Sequence, residues 1–295
     1  NSHIIMVIQK NIESLFSKIF SQKIIKAFEK NILYLASFGF VLHLIIIMLN
    51  NYNYIELSIV GTNLFSNPIS ALYTPFSFIL VYEAFLLVYY IPRSFTTAVG
   101  KQYQIMSLIV IRKIFKDIPL VDLNANWFTN TNNLQLIYDL LGVLIIFFLI
   151  FLFRKTKEKL PIKPVSEKLD RFIASKKLVS IVLLPTLFFV CLFSFANWFN
   201  GVFVLETFDG NLNNLFFNEF FTILILADVF ILLLSFQYTE RYSQLIRNTG
   251  FIISTILLRL SFSASGLSSI VLIICGILFG LIILLIYNAI EKESS

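Results

Sequence analysis

The sequence predicts an all-α integral membrane protein with eight transmembrane helices, arranged as two four-helix repeats of the same orientation. Three observations lead there: a composition too apolar for water, positive charge gathered into two stretches, and a carboxylate-centred segment that occurs twice. Hydrophobic residues make up 58% of the 295-residue chain and charged residues only 14%, with a mean hydropathy of +0.84. A soluble domain carries about 25% charged residues.

The chain opens with residues 1–30, in which Ile12, Leu15, Phe16, Ile19 and Phe20 recur at helical spacing among Lys10, Lys18, Lys23 and Lys26. Such a segment reads as an interfacial helix, held by apolar burial and by attraction to anionic lipid headgroups. Residues 31–153 form the first repeat. Its apolar runs at 32–49, 71–91 and 134–153 approach or reach the roughly 20 residues that cross the hydrocarbon core. Residues 154–177 are a linker with nine Lys or Arg, which can contact lipid headgroups as well. A second repeat follows at 178–288, with runs at 178–198, 216–236 and 267–287, and then a short tail, 289–295. Pro185 lies inside one of these runs and is expected to kink it.

Topology follows from the charges. The five Lys of residues 9–30 and the nine basic residues of the linker contrast with the loops 50–70 and 199–216, which have none. The positive-inside bias puts the N-terminus, the linker and the C-terminus in the cytoplasm and those loops outside. Trp127 and Trp198 then fall at the outer interface. In the linker, Ser166 of the sequence SEKLD is a candidate helix cap. Cys191 and Cys275 lie in predicted spans and pack as small apolar groups, so no disulfide or zinc framework is read.

The repeat is seen by aligning FSFILVYEAFLLVYYIPRSFTTAVGKQYQIMSLIVIRKIF (76–115) with FFTILILADVFILLLSFQYTERYSQLIRNTGFIISTILLRLSF (220–262). Each has an acid at mid-helix, Glu83 or Asp228, then a polar turn, a base, Lys101 or Arg247, and another base 11 or 12 residues on, Arg112 or Arg259. The equivalence counts segments 102–118 and 247–262 as spans despite their charges. Four spans per half return the linker to the cytoplasmic side.

A charged side chain at mid-bilayer costs about 2.5–3.5 kcal/mol on insertion scales, so it faces the bundle and finds a partner. Depth pairs Glu83 with Arg112 or Lys113 and Asp228 with Arg259, because antiparallel neighbours return to the same height after equal numbers of residues. These pairs either fix helix register or form part of an ion, proton or solute path. Lys101 and Arg247, at cytoplasmic helix starts, are expected to snorkel to headgroups. His43 is read as a hydrogen-bonded packing residue before a proton relay, and Asp139 as an anion favoured by a helix N-terminus. Gly276 and Gly280, a G-x-x-x-G pair, would admit a close helix.

The segment YEAFLLVYYIPRSFTTAVGKQYQIMSLIVIRKIFKD resembles the phosphate-starvation-inducible PsiE family of small bacterial four-helix inner-membrane proteins. That family has an aromatic-flanked Glu in its second span, a base opening the third, and a base about 12 residues later followed by an acid. Glu83, Lys101, Arg112 or Lys113, and Asp117 match these positions, and Asp228, Arg247 and Arg259 match in part, with Asp in place of Glu and no acid after Arg259. The resemblance implies a tandem PsiE-like protein of a bacterial inner membrane. It leaves two expectations open: a small ion or solute transporter or channel, or a non-catalytic scaffold or stress-sensor subunit. No P-loop, H-E-x-x-H, G-x-S-x-G or metal cluster is read, hence no enzyme, cofactor or metal is expected. The basic balance reads as topology rather than nucleic-acid binding, and a homo-oligomer is compatible with the reading.

Overall fold

Every regular element is a helix among the residues that a computed structural model describes, which are 2–54, 68–124, 126–159, 167–203, 212–239, 241–264 and 266–293. Nine α-helices are found among them: α1 (Ser2–Ile19), α2 (Gln22–Asn51), α3 (Tyr73–Tyr90), α4 (Phe95–Asp117), α5 (Thr131–Lys157), α6 (Glu167–Phe203), α7 (Leu212–Tyr238), α8 (Tyr242–Leu260) and α9 (Gly266–Glu293). Ser166, the surroundings of Trp198 and Cys191, and most of the two loops free of Lys and Arg lie outside the described residues.

The helix ends have local causes. Ser21 caps α2 by accepting from the Ile24 N–H, so the first break falls at residues 20–21 and residues 22–30 are the first turns of α2. Pro92 follows α3 and cannot continue a helical hydrogen-bond ladder. Ser94 then caps α4 through the Thr97 N–H, and Asn130 caps α5 by accepting from Asn132 and Asn133. Asn53, just past α2, takes a left-handed conformation, φ 57°, as a short polar residue can at a helix C-terminus. α6 runs through Pro185 as one helix.

Among the described residues six segments are long and apolar enough to cross a bilayer: Val7–Asn51, Pro68–Tyr90, Thr131–Lys157, Leu169–Val190, Glu219–Tyr238 and Gly266–Glu293. The protein is thus a multi-pass helical membrane protein. α4 and α8 are not among the six, because each carries charge among its apolar residues. Unlike a soluble protein, the molecule is apolar outside as well as inside. On α5, Leu140, Leu141, Leu144, Phe148 and Phe151 are exposed, whereas Asn133, Asp139, Gly142, Val143, Ile146, Leu149 and Phe153 are buried. The exposed stripe suits lipid, and the polar side chains stay with the protein.

Successive helices pack as neighbours from α2 to α5 and from α6 to α9, and the two halves meet through α5 against α9, α4 against α8 and α6 against α1 and α3. A small polar node sits at that seam. Tyr103 Oη of α4 stands 2.6 Å from Ser254 Oγ of α8, and Ser254 donates to the Gly276 carbonyl of α9 at 2.7 Å. Gly280 makes the approach possible: a Cβ there would meet the Tyr103 hydroxyl at 1.8 Å and Ser254 Oγ at 2.9 Å. The G-x-x-x-G pair therefore faces α4 and α8, within the bundle. Tyr103 also meets Phe153 edge-on at 4.9 Å, bringing α5 into the same contact.

Substituting Gly280→Ala is expected to destabilise the bundle by about 1–3 kcal/mol, the usual cost of overpacking. Thermal unfolding of the detergent-solubilised protein measures it, and the penalty should shrink in a Tyr103→Phe background, where the atom at 1.8 Å is gone and the nearest becomes Ser254 Oγ at 2.9 Å.

Candidate functional site

Buried acids pair with bases across adjacent antiparallel helices. Glu83 of α3 and Arg112 of α4 are both buried. Arg112 Nη2 donates to Glu83 Oε2, and Nη1 donates to the Phe76 carbonyl at 2.9 Å. In the C-terminal half Asp228 of α7 is met by Arg259 of α8, Nη1 to Oδ2 2.7 Å, with Arg259 1% exposed. The Thr255 hydroxyl lies one turn below Arg259 and donates to the same Asp228 oxygen at 2.9 Å.

The two pairs share more than charge. Arg112 and Arg259 each lie 17 residues after their helix begins, at 95 and at 242. Seven residues before each acid stands a phenylalanine, Phe76 or Phe221, on the same helical face, and three residues after each arginine stands another, Phe115 or Phe262. Each couple stacks: Phe76 on Phe115 at 5.0 Å and 22°, Phe221 on Phe262 at 4.5 Å and 15°. An ion pair and an aromatic stack two helical turns from the acid therefore occur together in both halves.

Their hydrogen bonding differs. Arg112 has two acceptors in line. Arg259 Nη1 meets Asp228 Oδ2 at 2.7 Å, while its Nη2 and Nε, like Arg112 Nε, meet no acceptor among the described residues. A guanidinium carries five N–H donors, and this one is fully enclosed.

Lys113 is not an alternative partner for Glu83. It faces the other way, toward Asp139 of α5, Nζ to Oδ1 3.5 Å, while Gln135 Nε2 donates to the same oxygen at 2.7 Å. This corrects the expectation for Asp139. The helix N-terminus is at Thr131, capped by Asn130, and Asp139 lies two turns further in and wholly buried, where a cation rather than the helix dipole balances it. His43 accords with the packing reading: its Nδ1 is 2.6 Å from Thr74 Oγ1 of α3. Lys101 and Arg247 do not simply reach for headgroups. Lys101 donates to Gln104 and lies over the Tyr90 ring at 5.6 Å, and Arg247 stacks on Tyr287 at 4.6 Å while donating to Asn248.

Lys176 escaped the sequence reading because it is one of nine basic residues in the linker stretch. It is instead 3% exposed. Its Nζ donates to the Arg93 carbonyl at the α3–α4 turn and lies over the rings of Phe95, 4.7 Å, and Phe172, 5.5 Å. Next to it Lys177 pairs with Glu13 of α1 at 2.6 Å and covers Phe16. Two adjacent lysines thus fasten the start of α6 to the first half. Only their amphipathic setting, with Phe172 four residues back, could have singled out Lys176.

No family model, curated protein or solved structure matches this chain. Among the described residues there is no group of three or more His, Cys, Asp and Glu side chains placed to hold a metal.

Removing one partner of a buried pair leaves an uncompensated charge and costs roughly 3–5 kcal/mol, whereas removing both costs far less. Arg112→Gln is accordingly expected to lower stability more than the Glu83→Gln/Arg112→Gln double variant does, measured by thermal unfolding in nanodiscs. Additive losses would contradict the pairing.

Proposed function

We propose that this chain is a PsiE-like protein of a bacterial inner membrane that moves a small ion or solute through its bundle by means of the two acid–base pairs. One observation carries the proposal: Glu83–Arg112 and Asp228–Arg259 occupy corresponding positions, each with a stacked phenylalanine pair at corresponding spacing. That correspondence supports two tandem four-helix repeats, α2–α5 and α6–α9. The repeat makes α4 and α8 spans as well. Their 23 and 19 residues extend about 35 and 28 Å at 1.5 Å per residue, against a hydrocarbon core of about 30 Å. Eight spans give both repeats one orientation and keep both termini in the cytoplasm.

Within this reading the paired acids are groups that can exchange a proton or release their arginine to another anion, and intramembrane ionisable residues commonly mark such paths. Anionic lipid headgroups are the expected partner of α1, where Lys10 and Lys18 stand beside exposed Val7, Ile8 and Leu15, and of the basic linker.

A second reading is favoured by the first pair taken alone. Arg112 already has Glu83 and the Phe76 carbonyl as acceptors, which suits a fixed strut in a scaffold or stress-sensor subunit.

Flux of protons, potassium and phosphate in proteoliposomes separates the two. The transport reading expects flux of at least one species, reduced about tenfold or more, a change of about 1.4 kcal/mol, by Glu83→Gln or Asp228→Asn in protein of normal stability. Absence of flux for all three selects the scaffold.

A further inference from the structure

We propose that Asp139 of α5 is a proton-binding site, loaded through Lys113 of α4. Its surroundings differ from those of the other two buried acids. Asp139 is 0% exposed. Its Oδ1 accepts from Gln135 Nε2 at 2.7 Å, and Lys113 Nζ stands 3.5 Å from the same oxygen, beyond the usual N–H···O separation of about 2.9 Å. Its Oδ2 meets no donor among the described residues. Burying a carboxylate oxygen without a donor is costly, and a bound proton removes the charge that makes it so.

The kind of base matters. Glu83 and Asp228 face arginines, and a guanidinium does not deprotonate in proteins, so exchange there requires the pair to separate. A lysine can hand over a proton in place, because its ammonium deprotonates and its four-carbon stem is flexible. The Lys113 side chain is 31% exposed. Its Nζ can therefore turn between water and the buried acid, and a small rotation of the stem brings it within transfer distance. One ammonium proton then passes to the carboxylate and forms an O–H bond, and the lone pair left on Nζ takes a proton from the water side. The sum is one proton taken up. A cation beside an anion becomes a cation beside a neutral acid, and Lys113 is no longer drawn inward.

The other sides of Asp139 are closed or uncharged. α5 packs against α4, α9 and the short turn Ile118–Leu120. Ile270 of α9 closes on Gly142, one turn beyond Asp139, so tightly that a Cβ on Gly142 would lie 2.4 Å from its Cγ2. The ionisable residues of α9, beginning at Tyr287, are about 25 Å further along the helix. Past the turn, Asp122 is exposed and meets Asn133 through its backbone alone. On α4, Arg112 is turned to Glu83 and Asp117 lies one turn beyond Lys113 at the helix end; on α5 itself Tyr138 adjoins the acid. Lys113 is thus the sole ion-pair partner of Asp139 among the described residues.

Infrared difference spectra of the full chain in nanodiscs, with isotope-labelled aspartate and the pH lowered stepwise, follow the carbonyl stretch of protonated aspartic acid. An acid band is expected that Asp139→Asn abolishes and that Asp228→Asn and the exposed-residue control Asp170→Asn leave in place. Lys113→Arg, whose fork holds a carboxylate by two bonds, should move the midpoint of that band about one unit to lower pH. It should also slow the band's appearance after a pH jump about tenfold or more, because the relay is gone. Lys113→Gln should move the midpoint to higher pH. These opposite shifts are read on the native carboxyl, so they carry the test if Asp139→Asn fails to fold. No band that depends on Asp139 at any pH at which the chain stays folded, or an unchanged midpoint or rate in Lys113→Arg, overturns the proposal. The site does not rest on the transport reading: the band without flux of any ion keeps it and removes that reading, and flux that depends on Glu83 and Asp228 without the band does the reverse.

Discussion

An ionised side chain in hydrocarbon must find its counter-charge within the protein, and the rest of this structure is arranged around that requirement. Glu83 and Asp228 each sit in a run of apolar and aromatic residues, at a depth where insertion of a lone charge costs about 2.5–3.5 kcal/mol. Their partners come from the next helix, which turns back after a short connection. Pairing therefore fixes the depth of α4 against α3 and of α8 against α7, and it requires both faces of each pair to point inward. The apolar exterior follows, because Leu, Ile and Phe are all that remain for lipid.

With charges settled inside each half, the halves join through smaller polar contacts. Interhelical hydrogen bonds in membranes contribute about 0.6 kcal/mol on average, so the Tyr103–Ser254–Gly276 chain specifies geometry more than it supplies stability. Its effect is to hold α4, α8 and α9 at a spacing that only Gly280 permits. At the α3–α4 turn the fastening is by two lysines. Lys176 and Lys177 tie α6 to the α3–α4 turn and to α1.

The parts legible in the sequence were those set by one helix or one hairpin. A carboxylate in an apolar run is visible by itself, and the return of an antiparallel neighbour to the same depth is arithmetic; Glu83, Arg112, Asp228 and Arg259 came from these. Depth could not choose between Arg112 and Lys113, since adjacent residues differ by about 1.5 Å in height but by about 100° in direction. The choice depends on which face of α4 meets α3 and which meets α5. Asp139 was misjudged for the same reason, because its partner lies on α4 and not on its own helix. Lys176 was hidden among linker charges, and the Tyr103–Ser254 contact joins residues 151 positions apart, which no local pattern encodes. Phe76, Phe115, Phe221 and Phe262 were present in the aligned segments, but 33 phenylalanines make any four inconspicuous until their rings are seen to stack.

The account stands or falls on α4 and α8 crossing the membrane beside their acidic partners. Side-specific labelling of single cysteines, introduced at exposed Arg93, Leu123, Arg241 and Ser263 in a chain with Cys191 and Cys275 replaced, tests this directly. Labelling of positions 93 and 241 from the cytoplasm and of 123 and 263 from outside is the predicted result. Both ends of α4, or both ends of α8, reacting from one side would contradict it.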